Sequence, residues 1–393
     1  MIRKVRIENY KSIASADVSL KRLTVLVGRN SVGKSNFIDA VLFVRDVILE
    51  GLDQSVSERH GLESVRRFSR TRPYVLSILV EVQEDDLEGD YKLRIVSRKK
   101  VPSVEVEYAR IISEGGEVSF QRDKNEINIS GIEGNEAELI RDVLGRGGRV
   151  DSDETILSYT RILPWRRGRD IARLQHVLTS SSMYSIFPNT LRQPQKASRE
   201  TRLSSSGDNI TSVLRQMTTS KAGRVRQLYG EIVSAMKMLI VNLERIIVRN
   251  VSGLLVLAFE VSENDGTRHQ LNVSQVSDGA LRVLGILVAL YQPTPPSLIA
   301  IEEPEQNLHP GALSVLSEAI QDDSIESQII ITTHSPHLLD YFDVESILSV
   351  TNDQSGTTSI AGIASHQLEA IREGLLSAGE IMVSQGLVPE GGE

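Results

Sequence analysis

One stretch limits the fold more than any other: Gly28-Arg29-Asn30-Ser31-Val32-Gly33-Lys34-Ser35-Asn36. It fits the spacing G-x-x-x-x-G-K-[ST]. Glycines at Gly28 and Gly33 let the backbone close round phosphate oxygens, with successive N–H groups pointing inward as an anion nest. Asn30 and Asn36 lie within that loop and at the helix start. Lys34 brings a mobile positive charge to β- and γ-phosphates, and the Ser35 hydroxyl suits Mg²⁺. The flanks agree. Leu23-Thr24-Val25-Leu26-Val27 reads as a short buried strand. After the loop, apolar residues from Phe37 to Val44 recur at helical spacing. Strand, loop, helix sets a helix N-terminus, with its partial positive charge, under the phosphates. The alternative is a chance match in a tight strand–helix turn.

A phosphate loop alone binds; hydrolysis also needs a metal-holding carboxylate and a group that orients water. Ser297-Leu298-Ile299-Ala300-Ile301-Glu302-Glu303-Pro304 supplies four apolar residues ending in two acids. Such a strand buries its body and delivers its acids at the carboxyl end, where α/β ligands sit. Glu302 is the candidate metal-side carboxylate, and Glu303 the candidate base for the attacking water. The alternative is a solvated acidic turn. Downstream, Ile329-Ile330-Ile331-Thr332-Thr333-His334-Ser335-Pro336 ends another buried strand in a histidine. His334 there can donate or accept a hydrogen bond at a γ-phosphate; Ser335-Pro336 equally marks a helix start. Val276-Ser277-Asp278-Gly279 opens an apolar helix, so Ser277 and Gly279 read as a second phosphate-binding helix N-terminus; an ordinary cap by Ser277 or Asp278 coexists with this, since a cap becomes a ligand site when a partner's nucleotide docks on it.

With 393 residues and 40% hydrophobic content, the chain suits one large α/β domain with insertions, or two domains. Aromatics at 4% predict an aliphatic core. There is no cysteine, so disulfides and thiolate metal sites are excluded. The net charge of −8 argues against a globally basic coat but leaves room for a local basic groove. The alternating MIRKVRIENY lacks the apolar core of a signal peptide, and no apolar run reaches membrane-span length. A cytoplasmic protein without a membrane partner is expected.

Along the chain, residues 2–8, 18–20, 74–82, 91–98 and 103–111 read as strands, with a turn at 99–102. Together they predict an antiparallel sheet beside the nucleotide core. Residues 113–155 read as short strands and a loop. Arg224 to Arg245 carries apolar residues at helical spacing, Leu254 to Val261 reads as a strand, and Ala280 to Tyr291 as an apolar helix. No heptads argue for a coiled-coil arm.

Four motifs in order, GRNSVGKS, VSDGALRVL, LIAIEEPEQNLHP and ITTHSP, resemble the ATP-binding-cassette ATPases of the SMC, RecF and OLD type. The opening RIENYKSI, the paired glutamates and the tail SAGEIMVSQGLVPEG look most like the RecF/OLD-like group of AAA ATPases, found in anti-phage and toxin–antitoxin systems. The resemblance covers roughly residues 1–50 and 270–385. It implies an α/β P-loop NTPase of ABC-ATPase type. A β-rich N-terminal lobe and a mixed, partly helical inserted middle region are expected. The divisions are 1–83 with the phosphate loop, 84–250 as an inserted lid or side region, and 251–393 with the signature, the acids and His334. It implies ATP and Mg²⁺ as cofactors. Lys34 and Ser35 would hold phosphates and metal, Glu302 the metal side, Glu303 the catalytic base, and His334 the switch. Ser277 and Gly279 would act in trans across an ATP-sandwiched homodimer. The signature is SDGA, not the SGGQ of transporters, and Glu302 stands where many relatives carry Asp. Gln83 is the candidate Q-loop residue.

The cargo is open. Basic clusters at Arg161–Arg169, with Tyr184 and Phe187 nearby, and at Arg66–Arg72 motivate a DNA-handling ATPase. The alternative is a solvated face. A regulatory ATPase that licenses a separate effector protein, a nuclease or toxin, is the other reading. OLD-type nucleases carry a Toprim domain after the ATPase, and after His334 only the Asp340/Asp343 pair stands near a helix. No intrinsic nuclease is therefore expected. A transporter subunit fits neither the signature nor the long middle.

Overall fold

The computed structural model describes residues 1–67, 74–98, 101–123, 126–132, 151–161, 168–263, 265–323 and 327–391. The phosphate-loop strand β3 (Leu23–Val27) lies at the centre, parallel to β15 (Gln328–Thr333) on one side and β16 (Ile347–Asn352) on the other. Beyond β15 come β14 (Leu298–Glu302) and β9 (Ser181–Tyr184), also parallel. Of these five, β3, β14 and β15 read as mostly apolar runs because both faces are covered, which is how buried parallel strands read. Alternate residues serve two cores. Leu26, Ala300 and Ile330 pack with the helix Lys34–Glu50, and Val25, Ile299, Ile301 and Ile331 with the helix Asp278–Tyr291.

The antiparallel strands continue the same sheet. From β16 the order runs through β17 (Thr358–Gly362), β2 (Ile13–Ser19), β1 (Ile2–Tyr10), β4 (Val75–Glu84), β5 (Leu87–Arg98), β6 (Val101–Ser113), β7 (Gly116–Asp123) and β8 (Glu126–Ser130). Thirteen described strands therefore form one surface, and the expected antiparallel sheet is fused to the core through β17. Of the expected turn at 99–102, Val101 and Pro102 belong to β6, paired with Arg98 and Ser97; residues 99 and 100 lie outside the described residues, as do 133–150 of the loop expected within 113–155.

A second sheet holds β10 (Gln195–Lys196), β11 (Leu243–Val251), β12 (Leu254–Ser262) and β13 (Arg268–Asn272). The helix expected over Arg224 to Arg245 is shorter, Gly223–Lys237. Met238 and Val241 are exposed, Asn242 takes a left-handed φ of 58°, and the β-branched Ile246-Ile247-Val248 that follow pair with β12. Residues 84–250 thus contribute β5 to β8 and β9 to the large sheet and β10 and β11 to the small one. No helix among the described residues is long and apolar enough to cross a membrane.

One buried charge shapes the N-terminal lobe. Glu107, on β6, is fully buried and accepts from Ile156 N at 2.5 Å, Leu157 N at 3.2 Å and Tyr91 Oη at 3.0 Å. Burial pushes its carboxyl up to about 7, against the pull of those three donors. The folded state therefore holds its proton more tightly than the unfolded chain, whose Glu titrates near ~4.3. Stability from this group is full below that value and is lost as pH rises through about 7. Thermal melts of wild type and Glu107→Gln across this window test it. The gap between them should move in favour of Glu107→Gln as pH rises, and parallel curves would rule out the proton linkage.

Candidate functional site

The carboxyl ends of β3, β14, β15 and β9 converge on one cavity of about 630 Å³. Asn30, Gly33, Lys34, Ser35 and Asn36 line it from the phosphate loop, Glu302 and Glu303 from the acidic strand, and Thr332 from β15. The loop's shape follows from its glycines. Gly33 takes φ +110°, and a Cβ there would stand 2.1 Å from Thr358 Oγ1. A Cβ on Gly28 would stand 2.1 Å from the Val350 carbonyl. Thr358 also donates to the Val32 carbonyl at 2.7 Å, and Ser12 bridges Thr358 to the Asn36 amide. Asn36 thus both lines the cavity and ties the helix start to Ser12 in the turn before β2.

The Lys34 ammonium donates to the Gly28 and Arg29 carbonyls at 2.7 and 2.9 Å. Burial pulls it below its ordinary value, while the negative charges of Glu303, Glu305 and Glu302 pull it back up. Lys34 is thereby placed where the three carboxylates concentrate a negative field.

Strand alternation would turn Glu302 and Glu303 to opposite faces. Instead both reach the cavity, because Glu303 takes a left-handed φ of 42°. Its N–H donates to the Thr332 carbonyl at 2.9 Å. Its carboxylate accepts from Gln306 Nε2 at 2.8 Å and stands 3.2 Å from His334 Nδ1. His334 therefore meets Glu303 directly, without lining the cavity. Glu302 Oε1 is buried and has no hydrogen-bond partner among the described residues. Ser35 lines the same cavity, so a carboxylate and a hydroxyl are both available there. This donor set fits Mg²⁺, which takes one or two protein oxygens and completes its shell with phosphate and water. Among the described residues no cluster of three or more His, Asp or Glu stands ready for a metal on its own.

Ser277 and Gly279 do not join this cavity. Ser277 caps its own helix, accepting from Ala280 N at 3.3 Å, and Gly279 packs beside Asn307 and Leu308. Gln83 also stands elsewhere. It exchanges backbone bonds with Met1, and Ser185 and Phe187, after β9, line the cavity instead. Three further residues carry signals that motif spacing does not give. Arg282, 5% exposed, projects from the Asp278–Tyr291 helix into the cavity and donates to the Glu303 carbonyl at 3.0 Å. Burial lowers its guanidinium from the ordinary value. Glu305 accepts from Thr333 Oγ1 at 2.5 Å, and Gln306 orients Glu303. Asp340 accepts from Gly379 N and Asp343 caps a short turn, so both acids serve the backbone. Most of the basic clusters at 66–72 and 161–169 lies outside the described residues.

A glycine-shaped loop, a buried strand ending in two acids and a histidine just past the adjoining strand are the parts from which a P-loop nucleotide site of ABC type is built. The comparisons carry this further. Residues 23–340 match the family described as "AAA domain, putative AbiEii toxin, Type IV TA system", and the chain belongs to that family. The chain is 22% identical over 377 residues to the Old nuclease of Escherichia phage P2, covering 91% of this chain and 60% of that protein. It is 22% identical over 353 residues to the Endonuclease GajA of Bacillus cereus, covering 88% of this chain and 57% of that one. The chain thus spans about 60% of the length of such relatives. The structure of an SmcHead bound to the C-winged helix domain of ScpA superposes with a TM-score of 0.53 at 14% identity, over 94% of this chain and 99% of that one. The chain is thus an AAA-domain protein that has the fold of an SMC-type head and is similar to OLD-type proteins.

Gly33→Ala tests the loop geometry. The added methyl meets Thr358, and the left-handed backbone strains an L residue by about 1–2 kcal/mol. Titration with a fluorescent ATP analogue should show affinity reduced by about tenfold or more, on the order expected for that strain plus the clash. Wild-type affinity would mean that the loop relaxes away from the cradle described.

Proposed function

We propose that the chain hydrolyses ATP and uses the reaction to open and close a homodimer. The observation that carries this reading is the split of the motifs. Lys34, Ser35, Glu302 and Glu303 line one cavity, while Ser277 and Gly279 stand outside it on the helix that sends Arg282 in. A signature outside its own cavity suits a second copy's nucleotide.

In this reading the 28–33 backbone N–H groups and Lys34 bind the β- and γ-phosphates. Ser35 and Glu302 would hold Mg²⁺, whose chemistry is to neutralise charge building on the phosphoryl oxygens. Glu303 orients a water and takes its proton as the water oxygen attacks the γ-phosphorus. The bond from that phosphorus to the β,γ-bridging oxygen breaks, and ADP leaves with phosphate. Gln306 and His334 keep the Glu303 carboxylate aimed, and Arg282 holds its backbone. The partner's Ser277 and Gly279 would close over the γ-phosphate, so hydrolysis releases the contact.

What the switch moves divides two readings. Action on DNA, in repair or anti-phage defence, is supported by relatives that carry nuclease names. Licensing of a separate effector is supported by the toxin–antitoxin description of the family.

Turnover and solution mass of wild type, Lys34→Ala and Glu303→Gln, with and without duplex DNA, test the proposal. Glu303→Gln should lose turnover by at least ~100-fold, in line with loss of a positioned base, and should accumulate as a dimer in ATP. Lys34→Ala should neither turn over nor dimerise. A Glu303→Gln variant that hydrolyses ATP at the wild-type rate would sink the base assignment. DNA stimulation of the wild type favours the first reading, and indifference to DNA the second.

A further inference from the structure

The charge of this chain is unevenly placed. Residues 188–276, which hold the small sheet and its helices, carry twelve Lys and Arg against seven Asp and Glu, a balance of +5 in a chain of net −8. Nine of the twelve are arginines, whose planar fork suits phosphate oxygens. The sheet has two unlike faces. Ile246, Leu257, Phe259 and Val261 join the core with Ile232 and Met236 of the Gly223–Lys237 helix. The register sets Arg245 beside Glu260, Arg249 beside Val256, Lys196 beside Leu254, and Arg268 beside Ser262 on the opposite, outer face. Arg245 and Arg268 are 58% and 63% exposed, and Lys196 and Arg249 are exposed. Two acids reach that face: Glu260, held by Arg245 at 2.9 Å through both oxygens and 3.8 Å from Arg268, and Glu244, which accepts from the Ser262 hydroxyl at 2.9 Å. Among the described residues Lys196 and Arg249 have no ion-pair partner.

We propose that this outer face binds the phosphate backbones of duplex DNA. The spacing favours a duplex. Arg245 and Arg249 lie on one side of β12, and Lys196 and Arg268 on the other, two strands and about 10 Å apart. Duplex grooves separate their bordering backbones by roughly 6 to 12 Å. Along the sheet, Arg245 and Arg249 stand about 14 Å apart, which matches about four base-pair steps along the duplex axis. The face has no aromatic side chain among its described residues, so it lacks the stacking platform that single strands use.

The surface leads directly to the signature. β13, which carries Arg268, runs through the single turn Val273–Gln275 into Ser277. Arg192, from the segment leading to β10, meets the Val276 carbonyl at 2.9 Å and Asp278 at 2.6 Å. DNA seated on β10 and β13 therefore biases the helix N-terminus that closes on a partner's nucleotide. This coupling rests on the switch reading above; the binding itself does not.

The test is fluorescence anisotropy of the full chain with a labelled duplex of about 30 base pairs, without nucleotide, over a salt series starting near ~50 mM. The variant is Lys196→Glu/Arg249→Glu/Arg268→Glu, at exposed positions, with thermal melting and ATP-analogue affinity as controls for folding. The variant should bind on the order of tenfold or more weakly. Its slope of log affinity against log salt should be shallower by about 2.7, at ~0.9 per lost phosphate contact. Wild-type affinity and slope in the variant, or no binding by wild type at the lowest salt, overturns the proposal. So does competition by polyglutamate as effective, per charge, as by duplex DNA, which would make the face a site for an acidic protein. Duplex stimulation of ATP turnover lost in the variant supports the coupling. Normal binding in Lys34→Ala shows that the surface stands even where the switch fails.

Discussion

Strands β14 and β15 have no polar side chain in mid-course, because both of their faces are core. Leu26, Ala300 and Ile330 look toward the phosphate-loop helix, while Val25, Ile299 and Ile331 look toward the signature helix. Burying such a side chain is worth roughly 1.5–3 kcal/mol, and an unpaired polar group in its place costs about as much. Polar chemistry is therefore driven to where these strands stop. That single constraint gathers Gly28, Glu302, His334 and Ser185, widely separated along the chain, at one end of four adjacent strands. The adjoining loops can vary without moving the frame.

At those ends the structure accepts local costs. Glu303 holds a left-handed backbone, a conformation that costs a non-glycine residue roughly 1–3 kcal/mol. The Thr332 carbonyl and Arg282 hold it there through two hydrogen bonds. The three buried side-chain polar atoms without a partner among the described residues are Arg282 Nε, Glu302 Oε1 and Glu305 Oε2. Two of those residues line the cavity, and Glu305 bonds the hydroxyl beside His334. Buried polar groups are normally satisfied. Their concentration round one cavity marks capacity kept for a ligand and not for folding.

The parts of this arrangement that were legible in the sequence are those fixed by backbone geometry over a few residues. The phosphate loop declares itself because only glycine fits beneath Val350 and against Thr358, and β14 because its apolar run ends in two acids. The family likeness followed from the order of such motifs. What stayed hidden depends on long-range pairing. β9 reads Ser-Ser-Met-Tyr and has no strand pattern of its own; it forms because β14 needs a neighbour. That hid Ser185 and Phe187 as cavity residues and left Gln83 as the candidate in their place. Arg282 looked like one polar residue in an apolar helix, and nothing local says that it reaches Glu303. The helix expected to run to Arg245 stops at Lys237 because the β-branched residues after it find β12, a partner with no trace in a helical wheel.

The Asp278–Tyr291 helix links these observations mechanically. From Ala280 to Tyr291 every residue is buried, so it moves with its surroundings and not as a flexible arm. Its N-terminus is outside the chain's own cavity, Arg282 is inside, and the strand feeding it belongs to the basic sheet. A change at any of these three places must be accommodated by the same packed element, since close-packed interiors transmit displacement more readily than they absorb it. A phosphate that draws Arg282 off the Glu303 carbonyl would release the left-handed turn and shift Ser277 together. The reverse also holds, because coupling between binding sites is reciprocal in free energy. A ligand that fixes β13 sets Arg282, and through it the aim of Glu303. In the proposed switch, sensing and hydrolysis are in this way two ends of one helix.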